Sequence, residues 1–304
     1  MARQVAATPN PILGMGLMTL AFIYLPVMDG VAKYLTQSLP IGQIVFARFV
    51  LQCCFLLPFM LYFRLPLWPR QAPVLQIIRG IMMMVTTLLF FGGLLYMPIA
   101  DAISITFVQP MIVTVLSAVW LGEPIRWRRI SSICVGFAGA VLVIQPHFIS
   151  VGWAALLPFG AAIAFALYII LTKRLSNEVH PVQMQFSVGA ISIVIVALCW
   201  AFVPNLAGGV FDFQPLSPSQ IWLLLVIGVV ATSGHLIIVI AMRFAPANLL
   251  APIQYTEIIG ATLIGFIIFN DVPTGSTILG IGLIVGAGLF LFYREHQVAK
   301  QESL

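Results

Sequence analysis

Apolar runs of about twenty residues recur along the whole chain, each closed by a short stretch of proline, glycine or charge. A helix rises about 1.5 Å per residue, so a run of that length crosses a hydrocarbon core about 30 Å thick. The runs predict spans at 12–35, 41–63, 73–96, 100–121, 128–145, 151–172, 181–203, 219–241, 246–269 and 276–293. Only 8% of the 304 residues are charged and 61% are apolar, whereas an ordinary soluble domain is about 25% charged. A soluble fold of this composition would have no surface to offer water. The expectation is an all-α integral membrane protein of ten transmembrane helices. A soluble enzyme, a secreted disulfide scaffold, a disordered chain and a nucleic-acid binder are all excluded. Ten spans also leave no length for a separate soluble domain.

The net charge of +5 follows a membrane pattern rather than a nucleic-acid one. Arg3, Arg64, Arg70, Arg126, Arg128, Arg129, Lys173, Arg174, Arg243, Arg294 and Lys300 fall on one side of the predicted bilayer. Only Lys33 lies near the other. Basic residues collect on the cytoplasmic side, so both termini, 1–11 and 294–304, are expected there. The first apolar stretch carries Asp29 and Lys33 and is too long for a signal peptide, so it is read as a retained span. The longest loop, 204–218, is expected over the outer mouth. Trp68, Trp127, Trp153 and Trp222 sit near helix ends as interfacial anchors do. Cys53, Cys54, Cys134 and Cys199 lie inside apolar runs without ligand spacing and read as packing residues.

The chain also resembles itself. Ala100-Asp101-Ala102 opens the fourth span and Ala245-Pro246-Ala247 the ninth, with Gln109 and Gln254 a similar distance beyond. Gly122-Glu123-Pro124 closes the first of these and Asn270-Asp271-Val272-Pro273 the second. Residues 12–146 and 147–293 thus form two five-span repeats. Five is odd, so the second must be inverted relative to the first. Inverted repeats are a transporter architecture, with solute held near the midplane between the halves.

The stretches 100–146, ADAISITFVQPMIVTVLSAVWLGEPIRWRRISSICVGFAGAVLVIQP, and 245–293, APANLLAPIQYTEIIGATLIGFIIFNDVPTGSTILGIGLIVGAGLFLFY, carry a family resemblance. The chain resembles the drug/metabolite transporter superfamily, EamA type, over about 12–293. That resemblance implies an alternating-access carrier of a small solute in a cell inner membrane. The second stretch is similar to the branch holding S-adenosylmethionine carriers. Family members often have proline where Tyr255 stands, and Glu where Asp271 stands.

Ionisable groups are costly in hydrocarbon and normally face a cavity or each other. Glu257 lies about eleven residues into its span, roughly 16 Å from the inner end. It would either bind a cationic solute group, take up a coupling proton, or pair structurally with another helix. Gln254, at i−3, shares its face; Tyr255 either joins it or faces a neighbour. Gln109, the repeat partner of Gln254, either binds solute or is interhelical glue, and Pro110 after it frees a carbonyl and can bend the span. His235 lies at a depth similar to Glu257 and either pairs with it, titrates, or is a satisfied core histidine. Asp29 is expected to pair with Lys33 or Arg48, holding the first two spans together or forming an outer gate. Arg79 either snorkels to the surface or offers a fork to a solute carboxylate or phosphate. Tyr168 closes the cytoplasmic side or belongs to the aromatic belt. Gly282 and Gly286, and Gly136 with Ala140, are expected to pack helices closely, against each other or in a homodimer.

No nucleophile with a base, HExxH or DDxxD is found, so no catalytic residue is expected and an intramembrane enzyme is disfavoured. No His or Cys cluster predicts a metal, no cofactor is implied, and no phosphate-binding loop for ATP occurs. The expected partners are a small-molecule metabolite and the lipid bilayer. A secondary active transporter of a small polar metabolite, an amino acid or related compound, is the leading reading. A channel or a structural or sensor protein is the alternative.

Overall fold

The computed structural model describes residues 10–302 except 98, 125–126, 145–151, 203–209 and 270–274. In chain order the helices are α1 (Pro11–Tyr24), α2 (Pro26–Leu35), α3 (Ile41–Tyr62), α4 (Pro73–Gly93), α5 (Ile99–Thr106), α6 (Gln109–Leu121) and α7 (Trp127–Ile144). A 3-10 turn at Gly152–Ala155 leads into α8 (Leu156–Leu175), followed by α9 (Pro181–Phe202), α10 (Pro218–Phe244) and the short α11 (Ala247–Leu250). A second 3-10 turn, Ala251–Thr256, precedes α12 (Glu257–Phe269) and α13 (Gly275–Glu302). No strand occurs among the described residues.

Proline sets many of these boundaries. Its missing N–H has no partner in a first turn anyway, and it opens α1, α2, α4, α9 and α10. In mid-span the same residue breaks the ladder by removing an i→i−4 bond. Pro26 separates α1 from α2, Pro110 follows the α5–α6 break, and Pro252 lies in the second 3-10 turn. Gly122, at φ +67°, ends α6 in the left-handed conformation that glycine adopts without strain. Ser217 and Gln220 cap the start of α10 reciprocally.

Seven segments are long and apolar enough to cross a membrane: Pro11–Leu35, Ile41–Tyr62, Pro73–Gly93, Gly152–Leu175, Pro181–Phe202, Pro218–Phe244 and Ala247–Ile268. Gln109–Leu121 and Ile278–Tyr293 are shorter apolar helices. The chain is an all-helical, multi-pass membrane protein. Leu61, Trp127, Trp222 and Leu279 are among many large apolar side chains left exposed on the outside, as a lipid-facing surface requires. Arg3, Arg126, residues 204–209 and Asn270-Asp271-Val272-Pro273 lie outside the described residues, as do the side chains of Arg294 and Lys300.

The helix contacts between the two halves come in matched pairs. α4 packs on α8 as α10 packs on α1, and α4 meets α9 as α10 meets α3. α3 meets α9, and α7 meets α13 in the most extensive contact of all. The same pairing holds for single residues. A Cβ added at Gly80 of α4 would lie 2.7 Å from Ile191 of α9, and one at Gly228 of α10 would lie 2.6 Å from Leu51 of α3. Lys33 donates to the carbonyls of Leu94 and Met97, just past the end of α4, the latter at 2.9 Å. Lys173 donates to Met242 and Ala245, at the end of α10, both at 2.7 Å. Each lysine thus satisfies carbonyls that the end of a helix leaves without a partner.

Two expectations change here. Lys33 is not the partner of Asp29: its ammonium is occupied by the carbonyls beyond α4, which lie nearer than the carboxylate one turn back. Gly282 and Gly286 do not make the α7–α13 contact, since a Cβ at either meets nothing within 4 Å. The close approach is made by Gly139, whose Cβ would lie 2.7 Å from the Gly280 carbonyl. Gly136 instead accommodates the ring of Tyr255.

Candidate functional site

The helix breaks converge on one cavity. Leu25 at the α1–α2 break, Thr106 and Gln109 at the α5–α6 break, and Glu257 at the start of α12 all line it. α2 contributes Asp29, α3 Arg48, α4 Thr86 and Thr87, and α10 His235. Phe22, Phe90, Phe91 and Phe165 form its aromatic wall. Both halves of the chain therefore supply polar groups to a single chamber. Its volume is about 80 Å³, well below the roughly 300 Å³ at which small-molecule sites begin.

The polar groups differ in how well they are satisfied. Asp29 is 3% exposed and Glu257 half-buried. Neither carboxylate makes a hydrogen bond or ion pair among the described residues. Asp29 is close enough to interact through charge with both Arg48 and Glu257. Arg48, only 1% exposed, gives one nitrogen, Nη1, to Thr87 Oγ1, and its Cζ lies 4.7 Å above the Phe49 ring. Its Nε and Nη2 are buried without an acceptor. The expected Asp29–Arg48 pair is thus a neighbourly charge contact and not a closed salt bridge.

His235 is buried, with Nδ1 2.8 Å from the carbonyl of Ala231. A carbonyl can only accept, so Nδ1 carries the proton and Nε2 is left as an acceptor. The edge of the ring meets Phe165 at 6.1 Å. Gln109 donates through Nε2 to Gln254 Oε1, joining the repeat partners directly. Gln109 lines the cavity, whereas Gln254 stands behind it with Nε2 unpartnered. Tyr255 is fully buried; its hydroxyl donates to Phe107 O at 3.3 Å and its ring meets Phe107 edge-on. That carbonyl is available because the α5–α6 break turns Met111 N onto Val108 O instead.

Arg79 and Tyr168 lie apart from the cavity lining. Arg79 does not snorkel. It is wholly buried among α4, α8 and α9, donating to Met184 O, to Gln76 Oε1 and to Thr172 Oγ1, the last two at 3.4 Å. Its Cζ sits 5.5 Å over the Tyr168 ring, and Tyr168 donates its hydroxyl to Gln185 Oε1 at 3.0 Å. Tyr168 is fully buried and stacks on Phe165 of the cavity wall, so it is no part of a surface belt.

Several groups escaped the sequence reading. Glu123 accepts from the backbone N–H groups of Ala247 and Asn248, one on each oxygen at 2.9 Å, and so clamps the start of α11 to the end of α6. Asn248 adds a bond to Pro124 O at 3.1 Å and accepts from Arg129. The lysine latches were legible in principle. Lys33–Gln43, KYLTQSLPIGQ, aligns without a gap on Lys173–Gln183, KRLSNEVHPVQ. Gln43 and Gln183 both bond a distant loop carbonyl, Gln214 O and Pro66 O. No group of three or more metal-ligating side chains occurs among the described residues.

The model of the EamA-like transporter family matches twice, over residues 12–145 and 152–293. An S-adenosylmethionine uptake transporter of Rickettsia bellii is 29% identical over 95% of this chain and 97% of its own length. A riboflavin transporter of Vibrio cholerae is 26% identical over 96% and 97%, and a pseudopaline exporter of Pseudomonas aeruginosa 27% over 91% and 95%. One crystal structure, 18% identical, superposes with a TM-score of 0.73 over 90% of this chain and 94% of its own, a likeness of fold alone.

Proposed function

Since this chain belongs to the EamA-like transporter family, we propose that it is a secondary active carrier of a small polar metabolite working by alternating access. In this reading ten spans form two inverted five-helix repeats, both termini are cytoplasmic, and the protein sits in a bacterial inner membrane. The echoed helix pairs and the two lysine latches support the inverted arrangement. An inversion also accounts for Lys33, the one basic residue on the wrong side: it stands where Lys173 stands in the other half.

The observation that carries the reading is the shared cavity, in which Asp29 and Glu257 have no bonded partner. A carboxylate left so in hydrocarbon is costly. A cationic solute group or a proton relieves that cost, which is what a binding and coupling site needs. The aromatic wall suits a planar ring or a cation over a π face. An amino acid or related compound fits this chemistry, and an S-adenosylmethionine-like solute combines all of it.

The test compares metabolites inside and outside cells making the wild type or Glu257→Gln at matched membrane abundance. We expect a solute whose partition shifts with the wild type and not with the variant. Equal movement by both would remove Glu257 from the cycle. No shifted solute at all would overturn the carrier reading and favour a structural or sensor role.

A further inference from the structure

We propose that the Nε–Nη2 edge of Arg48 is the receptor for a solute carboxylate, opposite Asp29 and Glu257, so that the cavity selects an amino-acid head carrying additional positive charge. The inference rests on the carrier reading above and says which atom pair does the selecting. Guanidinium presents its donors in a fixed planar fork, and two parallel N–H donors match the two oxygens of one carboxylate. In Arg48 the third nitrogen, Nη1, is already committed to Thr87, and the Phe49 ring lies across one face. What remains is the edge bearing Nε and Nη2, buried and without an acceptor. Leaving charged donors unsatisfied in a buried site is among the larger local penalties a fold carries. A planar oxyanion delivered by the solute removes it.

Among the described residues no protein group supplies that oxyanion. Asp29 is near enough to be felt as charge, yet forms no hydrogen bond with the fork. Glu257 is on the far element, α12, and likewise makes none. His235 offers Nε2 as an acceptor, but its Nδ1 bond to Ala231 orients the ring along its own helix. The formal charges of Asp29, Glu257 and Arg48 sum to −1. A solute with one carboxylate and two cationic centres balances them group by group. A simple polyamine leaves the fork empty, and a dicarboxylate places its second oxyanion against Asp29 and Glu257.

Paired ligands that differ only in the carboxylate test this. The purified full-length protein, in lipid nanodiscs, is titrated with S-adenosylmethionine and with decarboxylated S-adenosylmethionine, and in parallel with L-arginine and agmatine, reading the thermal unfolding midpoint. In at least one pair the carboxylate-bearing member should bind about ten- to hundredfold more tightly, the range expected for a lost charge-assisted bond. Arg48→Gln should abolish that preference, and Arg48→Lys, which keeps the charge without the planar edge, should reduce it. Glu257→Gln should keep the preference while weakening both members. Equal binding within every pair, tighter binding of the decarboxylated members, no binding of any, or an unchanged preference in Arg48→Gln would each overturn the proposal. If the Arg48 variants do not fold, the wild-type comparison and Glu257→Gln still decide it. Ligand binding with the predicted preference but without transport in cells would instead overturn the carrier reading and leave the receptor standing.

Discussion

Residues that look alike on paper are set apart by a few ångströms of surroundings. Arg48 and Arg79 are both buried arginines, but Arg79 has acceptors on three helices, whereas Arg48, a lining residue of the cavity, has two buried nitrogens without an acceptor. The first therefore ties α4, α8 and α9 together, and the second is the one proposed above to receive a solute. Histidines divide in the same way. His180 lies in the turn between α8 and α9, where its ring faces Phe63 at 5.1 Å and its Nδ1 accepts from Val182 N. Burial, and then the charge of Arg243, hold its pKa below the usual 6.5. An imidazole depressed in the fold is protonated first in the unfolded chain, so stability is lost as pH falls below about 6.5. The unfolding midpoint in detergent should drop between pH 7 and 5, and His180→Gln should flatten that slope. An unchanged slope would remove His180 from the account.

At the scale of elements, close approach depends on particular glycines and not on a motif. Gly80 and Gly228 let α4 and α10 ride directly on α9 and α3. Alanine at either gains up to about 1 kcal/mol of helix propensity but drives a methyl into Ile191 or Leu51, for which overpacking costs about 1–3 kcal/mol. Valine enlarges the clash. Gly80→Val and Gly228→Val should each lower the unfolding midpoint clearly, while Gly282→Ala, facing open space, should leave it unchanged or raised. Thermal unfolding of the three variants in one detergent checks this, and a strong loss in Gly282→Ala would mean that its face is covered in the native membrane. The proline breaks act at the same scale. They strip α1–α2, α5–α6 and the 251–256 turn of regular hydrogen bonding where the cavity forms, and Tyr255 takes up one of the freed carbonyls.

The whole molecule is held by contacts of two kinds, those within a half and those between halves. The Lys33 and Lys173 latches each join helices of one half, so they travel with it. The Glu123 clamp on Ala247 and Asn248 and the Gln109–Gln254 bond cross from one half to the other, so a cycle that parts the halves must break them. Glu123→Ala leaves two first-turn N–H groups without their acceptor, a loss of about 1–2 kcal/mol. Under the proposed topology that should raise the inward-open population about tenfold, since 1.4 kcal/mol is a factor of ten. The readout is faster maleimide labelling, from the cytoplasmic side of inside-out vesicles, of a cysteine placed at Phe165 in a cysteine-free background. Labelling unchanged by Glu123→Ala would mean that the clamp does not gate the cavity.

Sequence alone determined the solvent, the helical class and the family, because each is a property of many residues summed along the chain. Scarce charge, apolar runs and the two related stretches survive any local error. It also picked out Asp29, Arg48, Gln109, His235 and Glu257, since an ionisable or amide group in hydrocarbon has few places to go. Tertiary structure alone decided which of them share a cavity and which are already satisfied. Whether Lys33 meets Asp29 or a carbonyl beyond α4, and whether Arg48 or Arg79 keeps a free fork, depends on distances between helices far apart in the chain. Those distances are set by glycines and proline breaks acting on neighbouring helices, and spacing within one span carries no record of them.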